Sequence, residues 1–298
     1  LDGYSKRSID QELLNRQVKY MLESGLNYFD TSPVYCRGES EGCLGEALAK
    51  SGFSRDDYII ATKLSNFAPT QYSLDACKAM FAKSLAELRT DYIDNYLLHS
   101  IGMGGMTAFK LRYLSNGALD WCRKLRDEGK IRNLGFSFHG EAEVFEWCLK
   151  HHDEIHWDFA QIQLNYVDWS LQNAKEKIEI LNEYNIPVVV MEPLRGGRLA
   201  RLTDEESARL KEKRPEESNA SWSFRWLKSI PSVKVTLSGM SSLEQMMDNV
   251  KTYSKGKKLT KAEEKILYEI ADGMKNFIPC TGCRYCTEKC PKQIDIPL

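Results

Sequence analysis

Short apolar runs rich in β-forming residues alternate with amphipathic helical patterns along almost the whole chain. The runs are LNYFDTS, YIIATK, YIDNYLLH, IRNLGFSF, FAQIQLNY, PVVVMEP and VKVTLSG, and each follows a stretch with apolar residues at helical spacing. Strands that alternate with helices form βαβ units, which build a parallel sheet. The alternation therefore predicts an α/β protein with seven visible strands, whose first helix begins after Asp10 and stops at Gly25.

Two α/β architectures fit this alternation, and the turns distinguish them. An open doubly wound sheet usually carries a G-x-G-x-x-G turn after its first strand, and the chain contains no such motif. A closed (β/α)8 TIM barrel needs eight strands and about 250 residues. Because the chain opens in a loop and a helix, we predict a barrel whose first strand lies before Leu1.

Composition excludes several classes of protein. The formal net charge is -1, whereas a nucleic-acid binder needs a basic face. No apolar run approaches the roughly 18 residues of a membrane helix, and the first ten residues lack the pattern of a signal peptide. Nine cysteines is an odd number, and five of them are scattered (Cys36, Cys43, Cys77, Cys122 and Cys148). This is no disulfide framework, so a reducing, cytoplasmic location is predicted.

Four titratable side chains stand at or just beyond the ends of successive predicted strands. Asp30 ends the first visible strand, and Tyr35 follows it by five residues. Lys63 ends the second strand and His99 ends the third. Each alone has an ordinary interpretation: a turn cap, a loop aromatic, a surface lysine or a satisfied histidine. Since the carboxyl ends of barrel strands share one rim, we expect the four to converge on a site there.

The remaining four cysteines form the segment CTGCRYCTEKCP near the end of the chain. The spacing C-x2-C-x2-C-x3-C-P is that of a ferredoxin iron–sulfur site and predicts a 4Fe–4S cluster. The ligands would be Cys280, Cys283, Cys286 and Cys290. Structural zinc is the alternative, but its usual pattern is two C-x2-C pairs separated by a long loop. Because the chain has one such motif, three arrangements remain open: Cys290 completes the same cluster, a distant cysteine supplies a ligand, or the site is partial.

The tail has two candidate roles. It is a structural clasp that ties the last helix to the barrel, or a module that exchanges electrons with a partner protein. Electrons usually reach a one-electron cluster through a flavin, and the chain shows no flavin signature, so the clasp is favoured. The predicted domains are a barrel over residues 1–258 and a helix with the cysteine segment over residues 259–298.

The motifs YFDTSPVY, ATK and LLH resemble those of the aldo-keto reductase superfamily, and the resemblance covers nearly the whole chain. The motifs GFSFH and MEPLRGG, together with the cysteine tail, narrow it to the branch with an iron–sulfur motif. The resemblance implies a (β/α)8 barrel that transfers hydride between NAD(H) or NADP(H) and a small carbonyl or alcohol substrate. It also implies that Asp30, Tyr35, Lys63 and His99 form the catalytic tetrad.

The side chains of this tetrad suit the reaction. The proton donor to a carbonyl oxygen should have a pKa near the working pH, whereas free tyrosine has a pKa of about 10. A charged Lys63 nearby would lower the pKa of Tyr35, and Asp30 would hold Lys63 in place. His99 would donate a hydrogen bond to the same oxygen.

The resemblance also implies the residues that hold the nicotinamide cofactor. Ser137 and Gln161 would hold the carboxamide, with Met191 where many members have a stacked Tyr and Phe138 where many have Asn. Polarisable Met sulfur can still pack on an aromatic face. The other implied contacts are Pro193, Leu194, Arg195, Gly196 and Gly197 at the pyrophosphate, and Ser238, Gly239, Gln245 and Asn249 in the last barrel loop.

That last loop also bears on the choice of cofactor. Members that select NADPH carry basic groups here for the 2′-phosphate, which favours bidentate arginine contacts. No Lys or Arg occurs between Lys234 and Lys251, which favours NADH or use of both cofactors. A basic side chain from elsewhere, Arg195 or Arg198, is the alternative. The competing hypothesis for the whole chain is a redox sensor or electron-transfer protein that holds a nicotinamide without efficient turnover and signals through its cluster.

Overall fold

The computed structural model describes residues 9–274. Within this range the strands are Tyr28–Asp30 (β1), Ile59–Leu64 (β2), Ile93–Ile101 (β3), Ile131–Phe138 (β4), Phe159–Gln163 (β5), Val188–Met191 (β6) and Val233–Thr236 (β7). Their order along the sheet is their order in the sequence, and β1 to β5 pair in parallel. The predicted α/β class and the positions of all seven predicted strands are confirmed. An eighth strand before Leu1 stays a prediction.

Helices precede or follow each strand. They are Gln11–Glu23 (α1), Ser40–Lys50 (α2), Leu74–Leu88 (α3), Gly105–Phe109 (α4), Ala118–Asp127 (α5), Ala142–Lys150 (α6), His152–Ile155 (α7), Asp168–Leu171 (α8), Ala174–Glu183 (α9), Asp204–Lys211 (α10), Asn219–Leu227 (α11), Leu243–Lys255 (α12) and Lys261–Met274 (α13). Single 3₁₀ turns lie at Tyr35–Gly38, Arg55–Asp57, Pro69–Gln71 and Arg198–Ala200, and Lys110–Leu114 forms a π-helical turn.

Local sequence explains where these helices begin and end. The Oδ1 atom of Asp10 accepts the N–H of Leu13 at 2.9 Å, and Gly25, with φ +78°, follows the end of α1. Both features of α1 were predicted. Ser73 caps α3 in the same way, by accepting the N–H of Ala76 at 3.2 Å. Such side chains satisfy N–H groups that have no partner inside the helix.

The chain forms two compact units. The amino-terminal unit consists of the described residues up to Ile162 together with Glu179–Val189. It contains β1 to β4, and β3 is buried on both faces: Tyr96, Leu97 and Leu98 are completely inaccessible. A parallel strand covered on both sides has this pattern, because crossover helices pack against the sheet.

The carboxy-terminal unit consists of Gln163–Ile178 and the described residues from Val190 onward. Its core includes Trp222 and Trp226 of α11, and the indole N–H of Trp226 donates to the hydroxyl of Tyr268 at 3.0 Å. Since Tyr268 lies in α13, that helix packs within this unit. The division into domains at residue 258 stays a prediction.

The nine cysteines divide between residues that the structure describes and residues outside that range. Cys36, Cys43, Cys77, Cys122 and Cys148 are free thiols. The predicted cluster ligands Cys280, Cys283, Cys286 and Cys290 lie outside the described residues.

From residue 9 to residue 274, no helix has the length and apolar character needed to cross a bilayer.

Candidate active site

The first part of the site is a buried ion pair between the ends of β1 and β2. The Lys63 Nζ atom lies 2.6 Å from Asp30 Oδ1 and donates to the carbonyl oxygen of Thr31 at 2.8 Å. Lys63 has no exposed surface, and Asp30 Oδ2 has no hydrogen-bond partner among the described residues. Burial raises the pKa of Asp30, and the charge and hydrogen bond of Lys63 only partly oppose this shift. The pair fixes the position of the lysine ammonium group.

Tyr35 lies beside this ion pair, in the 3₁₀ turn that follows β1. The Lys63 Nζ atom is 4.8 Å from the centroid of the Tyr35 ring. The rings of Tyr35 and His99 meet edge to face, with centroids 5.9 Å apart. The structure therefore brings together the four side chains that the sequence predicted to converge.

The backbone after Tyr35 has an uncommon conformation. Cys36 and Arg37 adopt left-handed dihedral angles, with φ of +49° and +58°, and Gly38 has φ +92°. The left-handed conformation costs an L-residue with a Cβ atom roughly 1 kcal/mol or more. The turn that carries Tyr35 therefore stores backbone strain.

His99 is a buried imidazole whose Nδ1 atom contacts hydroxyl groups. Nδ1 lies 2.6 Å from Ser65 Oγ and 3.4 Å from Ser32 Oγ. Phe67 packs against the ring at a centroid distance of 5.0 Å. Burial, and then the positive charges of Lys63 and its other neighbours, lower the pKa of His99 well below the ordinary value. The imidazole is therefore neutral near pH 7 and can donate only one N–H.

A buried arginine holds the end of the strand that carries His99. Arg112, in the π-helical turn, donates from Nη2 to the carbonyl oxygen of His99 at 2.6 Å and from Nη1 to that of Ser100 at 3.3 Å. Ser100 has φ +51°, and the β3–β4 pairing is irregular between Leu98 and Ile101. Arg112 thus stabilises a distorted strand end beside the site.

Ser137 and Gln161, predicted to hold the carboxamide, lie opposite each other in β4 and β5. Both are buried. Ser137 Oγ accepts the N–H of Ser100 at 2.8 Å, and its own proton has no acceptor within residues 9–274. Opposed residues in a parallel sheet point to the same face, so the two side chains present neighbouring polar groups. This arrangement fits a carboxamide, which both donates and accepts hydrogen bonds.

The loop after β6 contains the residues predicted at the pyrophosphate. The Gly196 N–H donates to Glu192 Oε2 at 2.7 Å, and the Gly197 N–H donates to the carbonyl oxygen of Leu194 at 3.0 Å. The carbonyl oxygen of Pro193 accepts from Ser223 Oγ at 2.6 Å. The N–H groups of both glycines thus bond within the loop, and their role at a phosphate stays a prediction.

The side chain of Arg195 is turned inward. Its Nε atom lies 3.2 Å from Asp168 Oδ1, and both side chains are buried. Asp168 also accepts hydrogen bonds from the amide groups of Gln163 and Asn165 at 2.8 and 2.7 Å. These contacts bind the loop after β6 to the segment after β5.

The last predicted cofactor residues lie around the start of α12. Ser238 Oγ accepts from Asn249 Nδ2 at 3.1 Å, and Gln245 Oε1 accepts the N–H of Ser241 at 2.8 Å. A Cβ atom added at Gly239 would meet no atom within 4 Å, so the backbone there faces open space. These groups could contact a nucleotide without steric obstruction.

The residues that surround His99 were not predicted from the sequence. Ser65, Asn66 and Phe67 follow directly after the end of β2, and a polar Ser-Asn pair just beyond Lys63 was the signal that could have found them. Arg112 lies 13 residues beyond His99. Only the π-helical turn returns it to the strand end, and no local pattern in the sequence indicates that contact.

The chain resembles known proteins along most of its length. Residues 2–272 match the model of the aldo/keto reductase family. The uncharacterized oxidoreductase YqkF of Bacillus subtilis is 28% identical over 279 residues, which is 83% of each chain. The methylglyoxal reductase YeaE of Escherichia coli is 31% identical over 183 residues, which is 60% of this chain and 57% of YeaE.

Solved structures show the same fold. The holo form of aldo-keto reductase AKR11C1 from Bacillus halodurans has a TM-score of 0.71 and 26% identity, with 88% of each chain covered. An aldo/keto reductase from Klebsiella pneumoniae in complex with NADP and acetate has a TM-score of 0.69 and 21% identity, with 89% of this chain and 87% of that one covered. From the family match over residues 2–272 and the shared fold, this chain belongs to the aldo/keto reductase family of oxidoreductases.

Proposed function

We propose that this chain is a (β/α)8-barrel, nicotinamide-dependent carbonyl reductase or alcohol dehydrogenase that acts on small molecules. The observation that carries the proposal is the grouping of Asp30, Lys63, Tyr35 and His99, with the ion pair at 2.6 Å and the lysine 4.8 Å from the phenol ring. A surface lysine or a turn-capping aspartate would not be buried in such a group.

Each side chain has a defined task in the proposed reaction. A nicotinamide cofactor held here would supply hydride for the carbonyl carbon, or would take it up in the reverse direction. Tyr35 gives its phenolic proton to the carbonyl oxygen, and the charge of Lys63 stabilises the tyrosinate that remains. Asp30 holds Lys63 in place through the 2.6 Å contact. Neutral His99 donates a hydrogen bond to the same oxygen.

The residues proposed to hold the cofactor are those implied by the family resemblance. Ser137 and Gln161 would hold the carboxamide, and Met191 would contact the nicotinamide ring. Support comes from the opposed positions of Ser137 and Gln161 and from the free hydroxyl proton of Ser137. The remaining contacts are assigned to Pro193, Leu194, Arg195, Gly196, Gly197, Ser238, Gly239, Gln245 and Asn249.

We propose that NADH is preferred over NADPH or used equally well. No Lys or Arg lies between Lys234 and Lys251. Arg195, one of the two basic residues that could compensate, is buried against Asp168. Titration of the protein with each nucleotide, followed by nicotinamide fluorescence, measures the two dissociation constants. A Kd for NADPH more than about tenfold below that for NADH would refute the preference, since a well-made phosphate contact supplies about that factor.

The test of the mechanism is Tyr35→Phe, assayed with both nucleotides on a panel of small aldehydes and ketones. The panel includes methylglyoxal, because a relative is a methylglyoxal reductase. The variant keeps the ring and loses the proton donor, so nucleotide binding should stay and kcat should fall by roughly 100-fold or more. Tyr20→Phe on α1 is the matched control and should retain full activity. Full activity of Tyr35→Phe would end the proposal.

We also propose a 4Fe–4S cluster bound by Cys280, Cys283, Cys286 and Cys290, on the spacing of these cysteines alone. It is proposed as a structural clasp. Protein purified without oxygen should show iron–sulfur absorbance that disappears in Cys283→Ser. That variant should lose thermal stability and keep its turnover per folded molecule. Bleaching of the band on addition of NADH would instead indicate a cluster that exchanges electrons, through a hidden flavin or with a partner acceptor.

A further inference from the structure

Three buried hydroxyl and imidazole groups form a continuous chain of hydrogen bonds. Ser32 Oγ lies 2.9 Å from Ser65 Oγ, and Ser65 Oγ lies 2.6 Å from His99 Nδ1. The main-chain N–H of Val34 donates to Ser32 Oγ at 3.4 Å. Ser32 and Ser65 have no exposed surface. This series of hydrogen bonds therefore starts at the Val34 N–H, which can only donate, and ends at His99 Nδ1.

The number of protons and acceptors sets the direction of these hydrogen bonds. If Ser65 donates to His99 Nδ1, Ser32 donates to Ser65, and both hydroxyl protons lie in contacts of 2.9 Å or less. In the opposite direction Nδ1–H donates to Ser65, and the Ser65 proton has only the carbonyl oxygen of Lys63, at 3.4 Å. If Ser65 instead donates its proton to Ser32, the Ser32 proton has no acceptor among residues 9–274. A distance of 2.6 Å is also short for an N–H donor and ordinary for an O–H donor.

We propose that Ser65, supported by Ser32, is a positioning residue that keeps the single imidazole proton of His99 on Nε2. The Nε2 atom has no hydrogen-bond partner among residues 9–274, so it is the ring nitrogen open to a substrate. The functional part of this inference rests on the proposed carbonyl reduction, in which His99 must donate a hydrogen bond. A neutral histidine with its proton on Nδ1 would present a lone pair to the carbonyl oxygen and repel it.

The geometry assigns this task to the serines and to no charged group. A carboxylate near Nδ1 would do the reverse, because it can only accept and would draw the proton to Nδ1. A hydroxyl can donate, and here the Val34 N–H and the Ser32 hydroxyl leave Ser65 no other short contact for its proton. The sequence signal is a serine two residues after each of two tetrad members, Asp30 and Lys63.

The test is a long-range ¹H–¹⁵N spectrum of protein labelled with ¹⁵N at histidine. The chain has five histidines, and the signals of His99 are assigned by their loss in His99→Asn. In the wild type, Nε2 of His99 should resonate as a protonated nitrogen and Nδ1 as an unprotonated one. In Ser65→Ala, and more fully in Ser32→Ala/Ser65→Ala, the Nδ1–H form should become the main one or share the population. Ser51→Ala, which removes another buried hydroxyl that donates to a carbonyl, is the control and should leave the pattern unchanged.

Two outcomes would overturn the proposal: a wild-type His99 with its proton on Nδ1, or a double variant whose tautomer is unchanged. Ser65→Cys keeps the size of the side chain with a weaker donor, so it provides the same test if the alanine variants fold poorly. Activity is a separate readout. If the enzyme reduces carbonyls, Ser65→Ala should lower kcat by about tenfold with little change in nucleotide affinity, as for a weakened oxyanion donor. Wild-type protein with the Nε2–H tautomer and no turnover would refute the proposed function and leave the tautomer assignment intact.

Discussion

Replacement of Asp30 by Asn removes one partner of the ion pair beside Tyr35 and leaves the other in place. Lys63 Nζ then keeps the carbonyl oxygen of Thr31 at 2.8 Å and an amide oxygen, but no countercharge. Breaking a fully buried pair in this way costs about 3–5 kcal/mol. The Asp30 side chain is 12% exposed, and the remaining contact with solvent places the expected loss near the lower end, about 3 kcal/mol.

Urea unfolding at pH 7 measures this loss. With a slope of about 3 kcal/mol/M, the midpoint should fall by roughly 1 M. The double variant Asp30→Asn/Lys63→Met removes both charges, so it should be more stable than the sum of the single losses predicts, by about 2 kcal/mol. Glu23→Gln is the control, because Glu23 and Lys19 form a pair at 3.8 Å with both side chains more than half exposed. It should leave the midpoint unchanged. If the double variant loses as much stability as Asp30→Asn and Lys63→Met lose together, the two charges do not interact and the reasoning is refuted.

The other predictions concern the stability of each unit. Burial alone would raise the pKa of Glu263, but the hydrogen bonds it receives, chiefly from Arg214, lower it to about 2. Because the folded-state pKa lies below the unfolded one, this stabilisation of roughly 3 kcal/mol is present above about pH 4.5 and is lost as the pH falls toward 2. Glu263→Gln should flatten that part of the stability–pH curve, and an unchanged curve would contradict the assignment. Gly45→Ala in α2 should cost about 2 kcal/mol or more in urea unfolding, because its new Cβ would overlap the carbonyl oxygen of Glu87. Gly273→Ala in α13 meets no atom within 4 Å, so it should be neutral or stabilising; equal losses for both variants would show that packing is not the cause.

The elements of the fold were predictable from local sequence because parallel strands buried on both faces are continuous apolar runs. The segment PVVVMEP is an example, since its apolar run VVVM is β6, Val188–Met191, and all four residues are buried. The limits of α1 were predictable for a different reason: Asp10 and Gly25 act within one helical turn of the positions they define.

The site was predictable only where strand ends position it. Asp30, Lys63 and His99 occupy such ends, so the rule that barrel chemistry gathers at one rim was enough to group them. Ser65 and Arg112 contact His99 although they lie 34 and 13 residues away from it in the chain, and no periodicity encodes those contacts. The inward turn of Arg195 toward Asp168 is a long-range contact of the same kind.

The left-handed residues after Tyr35 have a consequence for protein engineering. Glycine adopts this conformation without strain, yet positions 36 and 37 carry Cys and Arg. A stability screen should therefore select glycine at either position, with a gain of up to about 1 kcal/mol. The same change would free the turn that holds the phenol beside Lys63, so thermostable variants chosen there should be slower catalysts. Library design that aims for both properties should leave residues 35–38 untouched and seek stability in the helices instead.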